Sequence, residues 1–463
     1  MCSLLAVLLM FAPDPSRDAI QQALLQRSEL AKRALLNGNA EEAVARYRAL
    51  VKELPADPGM RLNLALALES AGKYADEIEQ LEWVLQRKPE MFAPWLLLGM
   101  AHQKLGQPAA AIDPLRRALS LSPNDELALL ELADAHLALG NFPEAVQRLQ
   151  EIVARNPSSA KGWKGLALAY AAQGQESLAR LERTAPGSAE WCLLAARSEL
   201  DGAHFTRAFA LLREAVKREP DLRGVHEALA EVYEKTGHPD WAATERRREG
   251  SAHGEPKQES FLEAERYRKL AAGAMAHLER LPESIELLEM RAESDQRQGR
   301  RADALAEWRR AVQLARGDRR VLGKLAESLW INRSYEEAAP LLTRLVTANP
   351  NQPQWQYLLG DVLFRERRSE QALAHLEAAI RLDGGLLAAH AVLGRIYLQL
   401  GDASKAIPHL LIGMPTDEAA ISFQLGQAYR ATGQPELAAK AFQRQKELLA
   451  TPPEQAKITA PEE

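Results

Sequence analysis

Apolar residues recur at helical spacing along most of the chain. In residues 141–156, Phe142, Ala145, Leu149 and Ile152 fall on one face, and Trp95, Leu98 and Gly99, or Trp163, Leu166, Ala167 and Tyr170, repeat that spacing elsewhere. Small residues accompany the large ones on a fixed lattice. Ala31, Ala65, Gly99, Ala133 and Ala167 step by 34, as do Gly38, Gly72, Gly106, Gly140 and Gly174, and Pro55, Pro89, Pro123 and Pro157. A second block, Ala292, Ala326, Gly360 and Gly394, keeps the step and is paired with Ala304, Ala338, Ala372 and Ala406. Ala196 and Ala230, between the blocks, are again 34 apart.

Each period predicts two helices. The first ends at the glycine, which tolerates the left-handed backbone that a helix exit uses. The second ends at the proline, which disfavours further helix and opens the next unit. Small residues let helix backbones approach closely, and large ones fill the gaps. Such a hairpin covers its apolar face by stacking on a copy of itself.

The pattern resembles the tetratricopeptide repeat family, with its W-x2-L-G-x2-Y…A-x3-F…P signature and 34-residue period. Trp95, Leu98, Gly99, Ala111, Leu115 and Pro123 carry it in one unit; Leu393, Gly394, Tyr397, Gly401, Ala406 and Leu410 carry it in another. About twelve units are expected, starting near Leu24, Pro58, Phe92, Glu126, Ala160, Ala189, Arg223, Ile285, Arg319, Pro353, Leu387 and Ala419. The resemblance implies an all-α, right-handed superhelical solenoid of stacked helical hairpins.

It also implies that the first helices line a concave surface. The residues expected there form the candidate peptide-binding set Leu62, Leu66, Leu96, Met100, Leu130, Asp134, Lys161, Lys164 and Leu168, with Leu137 beside them. In the C-terminal half the matching positions are mixed: Glu289, Glu293, Arg297, Glu327, Trp330, Tyr357, Asp361, Arg365, Arg395, Phe423, Gln427 and Arg430. The competing reading is that curvature tucks the leucines into the core. Some members of the family hold chaperone C-termini in a clamp of Lys and Asn side chains. Here Asn63 stands without the clamp's companions, since Ser28 and Lys32 precede it and Ala93 and Leu97 follow, and that activity is not carried over.

Departures from the period divide the chain. Glu77 replaces the small residue of its second helix, either loosening that contact or pointing outward. The step Ala167 to Ala196 is five short, which predicts a turn at Gly174 and a clipped second helix near Leu178–Arg183 before Pro186. Ala230 to Ala292 spans 62 residues, and Glu245–Glu259 is charged and without apolar period, so a helix end and a mobile loop are expected there. Ser260–Arg280 reads as one long helix. The expected organisation is a targeting segment over 1–16, a first lobe over 17–249, an irregular loop plus long helix over 250–284, a second lobe over 285–452 and a disordered tail over 453–463.

Composition narrows the function. The charge is −5, from 58 Lys and Arg against 63 Asp and Glu, which does not favour nucleic acid as a partner. No apolar run reaches the roughly 18 to 20 residues of a membrane span, although Leu4–Ala12 resembles a signal-peptide core and points to a periplasmic or secreted setting ahead of a cytoplasmic one. Cys2 and Cys192 cannot build a disulfide framework or a four-cysteine zinc site. Motifs for a nucleophile elbow, a phosphate-binding loop, a dinucleotide turn and a zinc-protease helix do not occur. His102 and His136, at equivalent positions of adjacent repeats, read as packed and hydrogen-bonded; Cys192 reads as a buried apolar residue and Arg246–Arg248 as a solvated helix end. The expected function is a non-enzymatic scaffold that needs no cofactor or metal and binds a protein or peptide. The alternative is an accessory subunit of an envelope assembly, secretion or modifying-enzyme complex whose catalysis another chain supplies.

Overall fold

The computed structural model describes residues 15–450 and 458–461. The apolar run Leu4–Ala12 lies outside the described residues. Among them are 24 α-helices, one short 3-10 turn at Met414–Thr416 and a single isolated bridge between Leu222 and Gly254. The array is an all-α repeat. It divides into two compact units, Met1–Pro157 and Ser158–Glu463.

The first unit is four consecutive hairpins: Pro15–Leu36 with Ala40–Glu53, Pro58–Ser70 with Tyr74–Leu85, Phe92–Lys104 with Pro108–Leu121, and Glu126–Ala138 with Phe142–Arg155. Side-chain caps set the entry of two of the first helices. The Asp57 carboxylate accepts from the backbone N–H of Gly59 and Met60 at 2.7 and 3.1 Å, ahead of Pro58 at the first helical position. Asp125 does the same for Ala128 at 2.8 Å. Exit falls on the lattice glycines, with φ of 70 to 81° at Gly38, Gly72, Gly106 and Gly140. The small residues are there for contact. A Cβ placed on Gly99 would stand 2.5 Å from Leu115 Cγ, and Ala43, Ala111 and Ala145 are fully buried at the matching positions of the second helices.

Glu77 occupies that second-helix position in its own repeat and points inward: its side chain is 1 % exposed. The unit absorbs the carboxyl without a hydrogen-bond partner for Oε2 among the described residues.

The second unit departs from the lattice at once. Gly174 makes no turn; Ala160–Thr184 is a single helix of 25 residues, which corrects the expected hairpin and clipped second helix. Its partner is the long helix Glu259–Arg280. The two run antiparallel, as the pairings Trp163 with His277 (ring centroids 3.9 Å), Tyr170 with Tyr267 (6.5 Å) and Arg180 with Glu263 (2.9 Å) require. Two hairpins, Ala189–Asp201 with Phe205–Arg218 and Val225–Lys235 with Pro239–Glu249, are inserted between them. Their core, including Leu193, Leu212, Leu229 and Tyr233, joins Leu181 of one long helix and Phe261 and Ala264 of the other. Ile285–Arg297 then resumes the contiguous pairing that runs to Pro435–Ala450. The 24 helices thus make twelve pairs, one of them closed across an insert.

Residues 250–284 lie within the second unit. The segment expected to be mobile is tied by its backbone. Gly254 donates to Asp221 O at 2.8 Å and accepts from Arg223 N at 3.0 Å. Buried Glu190 accepts from the N–H groups of Lys257 and Gln258 at 2.5 and 3.1 Å, at the entry to the returning helix. A Cβ on Gly254 would meet Asp221 O at 2.7 Å, so the close approach needs glycine. Of the expected tail, residues 458–461 are among the described residues. Ile458 packs against the core of the inserted hairpins, and Thr459 O accepts from the Tyr233 hydroxyl at 2.8 Å.

Candidate protein-interaction surface

All the candidate residues but Lys161 fall on two rows of the lattice. Leu62, Leu96, Leu130 and Lys164 occupy one, and Leu66, Met100, Asp134 and Leu168 the other, each 34 residues from the last. In the first unit Leu62, Leu66, Met100 and Leu130 are partly exposed and Asp134 is exposed. Leu62 leans on Ala65, Leu81, Leu85 and Leu98. Leu96 is a correction. It is 7 % exposed and packs with Ala111, Leu115 and Leu132, so it serves the core rather than an open face. At this position the side chain lies in the core, as the alternative of curvature burying the leucines expects.

In the second unit Lys161 and Leu168 are exposed. Lys164 is not an open cation: its ammonium pairs with Glu289, which is 2 % exposed and also holds Arg320. A carboxylate this buried is accommodated because two cations face it. Farther along, Glu293, Gln296, Arg297, Trp308, Lys324 and Glu327 line a cavity of about 470 Å³, with Lys324 and Glu327 paired at 3.2 Å.

The mixed face of the following repeats closes on itself as a polar network. Trp330 Nε1 donates to Asp361 Oδ2 at 2.7 Å, and Arg365 approaches the other oxygen at 3.4 Å. Asp361 is 1 % exposed. Burial, with the Asp361 charge behind it, pushes the Tyr357 phenol up to about 12, and burial lowers the Arg395 guanidinium against the opposing pull of Asp361. Phe423 stays exposed. These groups neutralise one another, and no group of three metal-ligating side chains occurs among the described residues. Nor is any helix among them long and apolar enough to cross a membrane.

The remaining chemistry-bearing residues have structural settings. Cys192 is buried in the inserted core, which raises its thiol. His102 Nδ1 meets Gln107 Oε1 at 3.0 Å. His136 is 5 % exposed, its Nδ1 has no partner among the described residues, and burial lowers its affinity for a proton. Arg246 pairs with Glu234 and Glu227, and Arg248 with Glu245. Sequence reasoning missed the aromatic cluster of the inserted hairpins. Tyr233 stands edge-on to Trp241 at 5.5 Å and beside Phe209 at 5.9 Å, while His238 stacks on Trp241 at 4.2 Å. Tyr233 sits at the repeat's usual aromatic position, so nothing in the local pattern set it apart.

Tetratricopeptide repeat models match residues 28–82, 78–126 and 289–353, residues 103–169, and residues 419–448. A model for the anaphase-promoting complex, cyclosome, subunit 3 matches residues 331–413. No curated protein matches the chain. Among solved structures it is similar to MamA from Desulfovibrio magneticus RS-1, at 20 % identity over 36 % of this chain and 97 % of that chain, with a TM-score of 0.32. It is also similar to the APC/C hetero-tetramer Cut9–Hcn1, at 16 % identity over 91 % and 93 % of the two chains, with a TM-score of 0.35. A third is Naa15/Naa10 bound to HypK-THB, at 14 % identity over 92 % and 76 %, with a TM-score of 0.32. With repeat models spread from residue 28 to residue 448 over hairpins of the matching design, the chain belongs to the tetratricopeptide repeat family.

Proposed function

We propose that the chain is a protein-interaction scaffold without catalysis of its own, whose first unit holds an apolar or amphipathic segment of a partner protein along the two lattice rows. One observation carries this reading: Leu62, Leu66, Met100 and Leu130 remain partly exposed on first helices that recur every 34 residues. Burying one such side chain fully is worth about 1.5–3 kcal/mol. Three or four partial burials offset much of the cost of ordering a short peptide. Asp134, next after Met100 on the same row, is exposed and gives that face a polar edge. Exposed Lys161 and Leu168 offer the second unit a cation and an apolar contact of its own.

The test replaces Leu66 and Met100, separately, with Glu in the full chain and captures partners from the native cells. Loss of the partner held by the parent chain, with helical circular dichroism and melting temperature unchanged, is the expected result. Unfolding would place both side chains in the core, and unchanged capture would place the partner elsewhere.

A further inference from the structure

The segment 458–461 contacts hairpins more than two hundred residues earlier in the chain. Ile458 is the one large apolar residue after Leu449. It packs against the core of the inserted hairpins, while Thr459 and Ala460 stay exposed and Pro461 is half-buried. The backbone between them is fixed by the hydrogen bond from Tyr233 Oη to Thr459 O, 2.8 Å long. Tyr233 is itself 1 % exposed, so its hydroxyl has been taken out of water and is aimed at a peptide carbonyl. Burial, then the charge of Glu245, pushes that phenol to about 12, and it keeps the proton it donates.

This is the chemistry by which a groove takes an extended peptide: one aliphatic side chain on an apolar wall and one main-chain acceptor bonded by a fixed donor. The recognition uses a backbone carbonyl and a branched aliphatic residue, both of which another protein's segment can present. The hold is also small. One side chain and one hydrogen bond secure the segment, and tethering rather than contact area keeps it in place.

We propose that the surface over Tyr233 on the inserted hairpins is a peptide-binding groove, and that Ile458–Pro461 occupies it in cis as an internal ligand which an incoming peptide of the same chemistry must displace. The site lies in the second unit and stands or falls independently of the leucine rows of the first. Its specificity is for a branched aliphatic residue followed by a free carbonyl. The tail sets the threshold a partner must exceed, because it is present at the high local concentration of a tethered ligand.

The experiment compares the full chain with its Ile458→Asp variant, using a fluorescein-labelled synthetic peptide of residues 456–463 (AKITAPEE) as probe and anisotropy as readout. The variant is expected to bind the peptide saturably and at least about ten-fold more tightly than the parent chain, whose groove is filled. Adding Tyr233→Phe to the variant, which keeps the ring and removes the donor, should weaken binding about three- to ten-fold. A peptide that itself carries Asp in place of the isoleucine should not bind. No saturable binding to an Ile458→Asp chain of parent-like helicity and melting temperature overturns the groove. Equal binding to both chains overturns occupancy by the tail. If Ile458→Asp unfolds, a chain ending at Ala450 is measured in its place; if that also unfolds, the segment is a packing element and the proposal fails. A parent chain that is dimeric by light scattering and becomes monomeric on Ile458→Asp would put the tail in a second copy's groove and overturn the cis assignment.

Discussion

Replacing Glu77 with Gln should remove a pH dependence that the first unit otherwise carries. Glu77 stands on the lattice position held by Ala43, Ala111 and Ala145, so the close packing of the repeat is imposed on a carboxyl. Burial, with the nearby charge of Glu69 behind it, pushes that carboxyl from 4.5 up to about 8. The folded chain therefore holds a proton between about pH 4.5 and pH 8 that the unfolded chain has released. Stability falls as pH rises through this window, since the native state binds more protons there. The slope is at most about 1.4 kcal/mol per pH unit, so going from about pH 5.5 to about pH 7.5 costs the local structure roughly 2–3 kcal/mol. Glutamine has nearly the shape of the protonated acid and does not titrate. The variant should match the parent near pH 5.5 and exceed it near pH 7.5.

Because repeats open locally, the measurement is hydrogen–deuterium exchange of the Pro58–Ser70 and Tyr74–Leu85 helices in the full chain, corrected for the intrinsic effect of pH. The difference between variant and parent cancels every other titrating group. Identical pH slopes in the two chains would refute the reasoning. They would mean that water reaches the carboxyl and that it titrates near its ordinary value, the outward-pointing alternative that the sequence alone left open.

Two further substitutions probe the second unit and its departure from the lattice. Glu190→Ala removes the acceptor for Lys257 and Gln258 N–H; trypsin, to which the parent's 248–258 segment should be resistant, is expected to cut the variant first after Arg248 or after Lys257, and an unchanged digestion pattern would count against the tie. Gly174→Ala should stabilise by about 0.5–1 kcal/mol, because the residue is helical and a Cβ meets nothing closer than 3.8 Å, whereas Gly140→Ala, at φ 73°, should destabilise by about 1 kcal/mol; urea melts in which both changes have the same sign would refute the helical reading of Gly174.

The lattice was legible because it records local contacts. Gly99 against Leu115, Gly360 against Leu376 and Gly394 against Leu410 are the same contact made within one hairpin, and each leaves a small residue at a fixed offset from a large one. The number of units was readable for the same reason: every helix pair, even the open one, contributes two apolar faces of the same period. Connection was not readable. Ala160–Thr184 meets its partner a hundred residues later, and a helix carries the same apolar stripe whether the helix that covers it is next in the chain or not. The interaction surface divides along the same line. Periodicity put Leu66 and Leu96 on rows of the first helices, yet whether a row position faces outward depends on the neighbouring repeat, which left Leu66 partly open and closed Leu96.

Gly174 shows one lattice glycine taking the other of its two conformations. It keeps the step of 34 from Gly140, and at four earlier positions that step means a left-handed turn. Here the same glycine lies inside a helix, facing Ala264 and Tyr267 of the returning partner. Glycine permits a turn without commanding one. Stacking a turn's worth of helix onto Glu259–Arg280 extends the shared apolar seam toward Leu181 and Phe261, and that gain decides between the two conformations. The seam then serves both sides of the insert. One end, at Trp163 and His277, leads into the resumed array at Ile285–Arg297, while the other supports the hairpins that present Tyr233. A continuous lattice would have made a fifth ordinary repeat here; giving it up is what creates the inserted hairpins and the groove that Ile458 fills.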